Sequence, residues 1–139
     1  MSKRVFVKFV SDPEHDMQKI YVGIACALQA ISDGHEVDVF FAGMGVRILH
    51  PKFVQKMDNA SKLSTSGPPP ALFPKPMFTP MINALCEGAN LYCSSGSVKY
   101  VFGNSEGDEA LFVADDKITW SGPSGVIALA TASDVQLVY

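Results

Sequence analysis

The chain has 139 residues, 47% of them hydrophobic and 18% charged, with a formal net charge of −3. That length fits one domain, residues 1–139, which can bury about two thirds of its unfolded surface without a disulfide or metal staple. The balance argues against a nucleic-acid partner, since only Lys3-Arg4 groups basic residues to meet phosphates, and no apolar run reaches the roughly 18 residues of a membrane span.

A small domain this apolar either covers both faces of a sheet or buries apolar surface between subunits, so a homo-oligomer is expected. Three cysteines without CxxC spacing do not make a disulfide framework. The N-terminus runs from Lys3-Arg4 directly into a strand-like segment that contains Lys8, unlike a signal peptide. A cytoplasmic setting is the expectation, and no motif calls for a cofactor.

Val5 to Val10 is β-branched and aromatic, is bounded by Ser11-Asp12-Pro13, and reads as a buried strand. From Glu14 to Ser32, Met17, Ile20, Ile24, Leu28 and Ile31 mark one helical face, with Asp12 as N-cap, Pro13 at the first position and Gly34 closing. Glu36 to Ala42 is a second apolar strand. Two strands joined by a helix of this length form a βαβ unit with parallel strands. Gly43 to Leu49 reads as a tight loop becoming a short helix, and Lys52 to Met57 as a turn or two more. Asn59 to Pro76 carries five prolines and no period; a loop that long inside a domain is a lid, a subunit-contact arm or a mobile segment. Thr79 as cap and Pro80 at the first position open a helix through Glu87 that Gly88 closes. Ala89 to Cys93 is a third strand, followed by the turn Ser94-Ser95-Gly96-Ser97 and an apolar stretch to Phe102. Glu109 to Asp115 reads as helix, Lys117 to Trp120 as strand, Val126 to Ala132 as helix and Val135 to Tyr139 as the last strand. The order predicts a three-layer α/β/α sandwich with a mainly parallel five-stranded sheet.

In such sheets sites form outside the carboxyl ends of the strands. Cys93 leaves a strand there, before a turn that opens a helix. Backbone N–H groups and the positive end of a helix stabilise a thiolate, which is the reactive form of cysteine. The competing reading is a buried core cysteine, as is expected of Cys26 and Cys86 within helices. Ser94, Ser95, Gly96 and Ser97 either cradle an anion or serve as a turn and helix cap, and the run lacks a Walker A lysine and GxGxxG spacing. His15 and His50 fall at the same edge and are candidates to assist proton transfer, or to bind a metal with Cys93, although no HxxxH pair supports a metal. Lys99 is a further assisting candidate, if it faces back toward the thiol.

The opening KRVFVKFV, the helix IYVGIACALQAISDGHEV, the run VFFAGMGVRIL, the segment MINALCEGANLYC after a Pro-rich excursion and the closing ITWSGPSGVIALATASDVQLVY together resemble the DsrE/DsrF-like family, whose fold is YchN-like. The resemblance extends to a subgroup with a long insertion before the third strand. It implies that Cys93 holds a persulfide in a sulfur relay, as a sulfurtransferase-like enzyme or as a carrier between donor and acceptor proteins. It also implies a homo-oligomer, a trimer or hexamer. The alternative is a non-catalytic oligomeric module binding a small anion or nucleotide at the carboxyl edge.

Overall fold

The computed structural model describes residues 1–63, 78–103 and 112–139. Strands β1 (Arg4–Phe9), β2 (Glu36–Phe41), β3 (Asn90–Ser94), β4 (Ile118–Ser121) and β5 (Val135–Val138) form one sheet in the order β4-β3-β2-β1-β5. Every pairing is parallel, so the expected sheet is present without an antiparallel member. Helices α1 (Met17–Ser32), α2 (Pro51–Leu63), α3 (Phe78–Gly88), α4 (Ser95–Phe102) and α5 (Pro123–Ala132) connect the strands.

Alternation along the strands divides the core in two. Val5, Val7 and Phe9 of β1, Val37, Val39 and Phe41 of β2 and Leu91 and Cys93 of β3 share a face, packed by Ile20 and Ile24 of α1, Met57 of α2, Ile82 and Leu85 of α3 and Val98 of α4. On the opposite face Phe6 and Phe40 meet Leu129 of α5, with Tyr92 and Val126 beside them. The two helical layers are therefore unequal: among the described residues the second face has α5 alone in its core. Asp38 also lies on this thinly covered face, fully buried, because Arg4 reaches over it (Nε to Oδ2, 2.8 Å) and Asn90 donates to its other oxygen.

Several expected boundaries move, each for a local reason. The first helix begins at Met17 rather than Glu14. The Asp12 carboxylate accepts the Glu14 N–H and the Arg47 guanidinium, and the Asp12 carbonyl accepts from His15 and Asp16, so residues 12–15 close a separate turn. The left-handed Gly34 sits where the cap was expected. Gly43–Leu49 is a 3-10 helix throughout. It crosses the end of β1 so closely that a Cβ on Gly45 would overlap the Phe9 carbonyl. Helix α2 continues to Leu63, so 59–63 of the expected Pro-rich loop is helical, and 64–76 lies outside the described residues.

The helix expected over Glu109 to Asp115 is not found in its described part. Residues 112–114 bend and turn, Ala114 is left-handed (φ 54°), and a short 3-10 turn, Asp115–Lys117, leads into β4. Residues 109–111 of that expectation lie outside the described residues. Helix α5 starts three residues earlier than expected, with Pro123 in its first turn. Among the described residues no helix is long and apolar enough to cross a membrane.

Candidate functional site at the carboxyl edge

Cys93 is the penultimate residue of β3, and α4 starts two residues later, as the sequence suggested. Its register partner in β2 is Phe41 and in β4 Trp120. This parity turns the thiol into the thicker half of the core, where Cys93 is 0% exposed. Burial pushes its pKa up to about 12, and the Ser94 backbone N–H, which acts in the opposite direction, does not offset it. At neutral pH the sulfur is a protonated core thiol. Cys86 is likewise buried with its pKa raised, and Cys26 is half-buried.

The serine turn caps and ties. Ser94 is the N-cap of α4, its Oγ accepting the Ser97 N–H at 3.1 Å. Ser97 Oγ accepts the Gly43 N–H at 2.9 Å, which joins α4 to the 3-10 helix. Ser95 Oγ donates to the Ser121 carbonyl, and Gly96 is exposed. Lys99 is exposed on α4, five positions into the helix.

The histidines are placed apart. His15 is held by Asp12 (Nδ1 to Oδ2, 3.0 Å) on the surface. His50 sits at the start of α2 within an aromatic cluster, its ring 5.0 Å from that of Phe102 and close to Phe53 and Phe112. Burial and the nearby Lys52 lower its pKa. Among the described residues no three His, Cys, Asp or Glu side chains stand together as a metal would require, so the structure does not bring His15, His50 and Cys93 into one ligand set.

A cleft does open at this edge, on the other face of the sheet. It has a volume of about 320 Å³ and runs between the ends of β1, β2 and β3 and the start of α5. Phe40, Ala42, Val10, Val126 and Ile127 supply its apolar lining, and Lys8, Ser94 and Ser97 its polar side chains. Register explains the gathering: Lys8 lies level with Phe40 on one side and Val138 on the other. Lys8 has no ion pair or hydrogen bond from its side chain among the described residues. Ser94 and Ser97 each spend an acceptor position on a backbone N–H, which leaves the hydroxyl protons as donors. None of the described residues lining the cleft carries a carboxylate. Sequence reasoning missed Lys8, whose signal was an ammonium group in the middle of the apolar run VFVKFV, at an even position and so on the face opposite Val7 and Phe9.

No protein-family model matches the chain, and no curated protein does. Among solved structures the chain is similar to the crystal structure of the ychN protein from E. coli, with a TM-score of 0.62 over the whole of both chains and 10% sequence identity. An identity that low carries the fold alone: the chain has a YchN-like α/β fold, as its sequence pattern suggested.

Proposed function

We propose that this chain is a binding module that holds a small anion in the carboxyl-edge cleft beside Lys8, without covalent catalysis. One observation carries the reading: the polar side chains of the cleft are an ammonium group and two hydroxyls with protons to donate, and no described lining residue is a carboxylate. A buried or half-buried donor set of this kind is satisfied by an acceptor that brings negative charge. The cleft lies where ligands bind in parallel α/β sheets, beside β1, from which the chain departs to β2 on one side while β5 closes on the other. Titrating the protein with inorganic phosphate, sulfate and acetate while following the backbone amide resonances of residues 8, 94 and 97 tests it. Saturable shifts at those residues are expected; no response to any anion overturns the reading.

The module is proposed to act as a homo-oligomer, a trimer or hexamer, in a reducing cytoplasm. Tyr100 is 90% exposed on α4 and Val22 is exposed on α1, apolar surface away from the cleft that a second copy would cover. Sedimentation analysis decides this, and a monomer at all concentrations would overturn it.

A second reading, sulfur relay at Cys93, is supported by the Ser94 N–H on the Cys93 sulfur at the sheet's carboxyl edge. In it, Cys93 loses its proton, its thiolate attacks the outer sulfur of thiosulfate, sulfite leaves, and the persulfide passes that sulfur to an acceptor protein's thiolate. Burial sets the requirement that the α4 end of the core open first. Incubation with thiosulfate or polysulfide followed by intact mass measurement tests it: one sulfur gained by the wild type and not by Cys93→Ala favours the relay, and no gain overturns it.

A further inference from the structure

The cleft beside Lys8 is built more narrowly than a general anion site. Its cation stands in an apolar frame, with Phe40 and Val126 on the inner wall and Ile127 and Val10 at the rim. Ile127 is 66% exposed and Val10 39%. Val138, level with Lys8 on the neighbouring strand, is 59% exposed. Three of the exposed apolar side chains of the described residues are thus gathered around an ammonium group that has no counter-ion among those residues. An anion hydrated on all sides, such as phosphate, would turn oxygens toward Phe40 and Val126, where no side-chain donor among the described lining residues meets them. A carboxylate has two oxygens, which one ammonium and two hydroxyls can serve, and its remaining surface can be apolar.

We propose that the ligand of the cleft is a small carboxylate with an apolar tail. The carboxylate meets Lys8 and the hydroxyl protons of Ser94 and Ser97, and the tail lies along Phe40 and Val126 under Ile127. A volume of about 320 Å³ is at the small end of ligand sites, so the tail is short. This rests on the anion-binding reading and specifies the class of anion.

The experiment is calorimetric titration of the full chain with acetate, butyrate, hexanoate and inorganic phosphate, at one ionic strength. Each methylene added between acetate and hexanoate is expected to tighten binding about two- to fourfold as it leaves water. Phosphate is expected to bind more weakly than hexanoate. Lys8→Met is expected to weaken hexanoate at least tenfold with an unchanged melting temperature, and Ile127→Ser to flatten the gain with chain length. The wild-type series decides the matter even if a variant fails to fold. Phosphate binding as tightly as hexanoate, with no gain along the series, overturns the carboxylate proposal and leaves the broader anion reading standing. No binding of any of the four overturns both. Concentration-dependent self-association that Ile127→Ser abolishes, with no carboxylate effect on it, also overturns the proposal and assigns the apolar rim to a second copy of the chain.

Discussion

Asp58, in α2, and Phe78, the first residue of α3, are joined by a hydrogen bond from the Phe78 N–H to the Asp58 carboxylate at 2.7 Å. The same carboxylate accepts from the Thr79 hydroxyl at 2.5 Å and from the Thr79 N–H at 3.4 Å. An N-cap normally comes from the residue before its helix. Here it comes from 20 residues upstream, and the sequence expectation of a Thr79 cap followed by Pro80 missed it. Asp58→Ala removes the acceptor from a buried N–H and is expected to cost about 2 kcal/mol. Asp58→Asn, which keeps a carbonyl, is expected to cost less. Urea unfolding of the three proteins measures both, and equal stability of the alanine variant and the wild type would sink the capping role.

Gly45 and Gly43 are expected to differ in their response to alanine. Gly45 faces backbone: the Phe9 carbonyl and the Val10 N stand where its Cβ would go. This backbone at the end of β1 is held by hydrogen bonds from the Ala42 N–H to the Phe9 carbonyl and from the Val10 N–H to the Tyr139 carbonyl and cannot step aside. Gly45→Ala is therefore expected to destabilise by more than about 2 kcal/mol. Gly43 has a positive φ (55°) and only ordinary contact at 3.5 Å from the Val10 carbonyl. Gly43→Ala is expected to cost about 1 kcal/mol through conformation alone. A reversed order in the denaturation midpoints would contradict the packing of the 3-10 helix over β1.

These cases show where sequence was legible. The strands were, because Val5 to Phe9 and Val37 to Phe41 are β-branched and aromatic over the length of a strand and are punctuated by Ser-Asp-Pro and by glycine. The edge position of Cys93 was legible for the same reason. Its burial had a signal too: Leu91 and Cys93 alternate with Asn90, Tyr92 and Ser94, and the apolar parity goes to the thicker core. That, among the described residues, α5 alone backs the other face was not legible, since it depends on where β5 joins the sheet, next to β1 rather than β4. The cleft and the place of Lys8 in it follow from that closure. Asp58 was hidden because α2 was read as too short to contain it.

The three thiols should separate by reactivity. A Cys93 pKa of about 12 leaves about a thousandfold less thiolate at neutral pH than an ordinary cysteine has. Cys86 is also buried with its pKa raised, whereas Cys26 is half-buried. Iodoacetamide on the native protein at pH 8 is therefore expected to add one label, at Cys26, before either of the others. Unfolding in urea should bring all three to similar rates. Peptide mapping locates the label, and a native protein labelled first at Cys93 would favour the relay reading over the binding module.

His50 makes stability depend on pH near neutrality. Burial and the nearby Lys52 hold its folded pKa below the ordinary histidine value of 6.5. The Lys52 N–H also donates to Nδ1 at 3.3 Å, a bond that the protonated ring cannot accept. Above about pH 6.5 both the folded and the unfolded chain carry a neutral ring, and the contribution is fully present. As pH falls through that value the unfolded chain takes up a proton first, so stability declines until the folded ring is protonated as well. The urea midpoint is expected to drop between pH 7.5 and pH 5. His50→Phe keeps a ring against Phe102, Phe53 and Phe112 while removing the proton site, and it should make that drop smaller. If the variant loses stability over this interval as steeply as the wild type, His50 is not the group responsible.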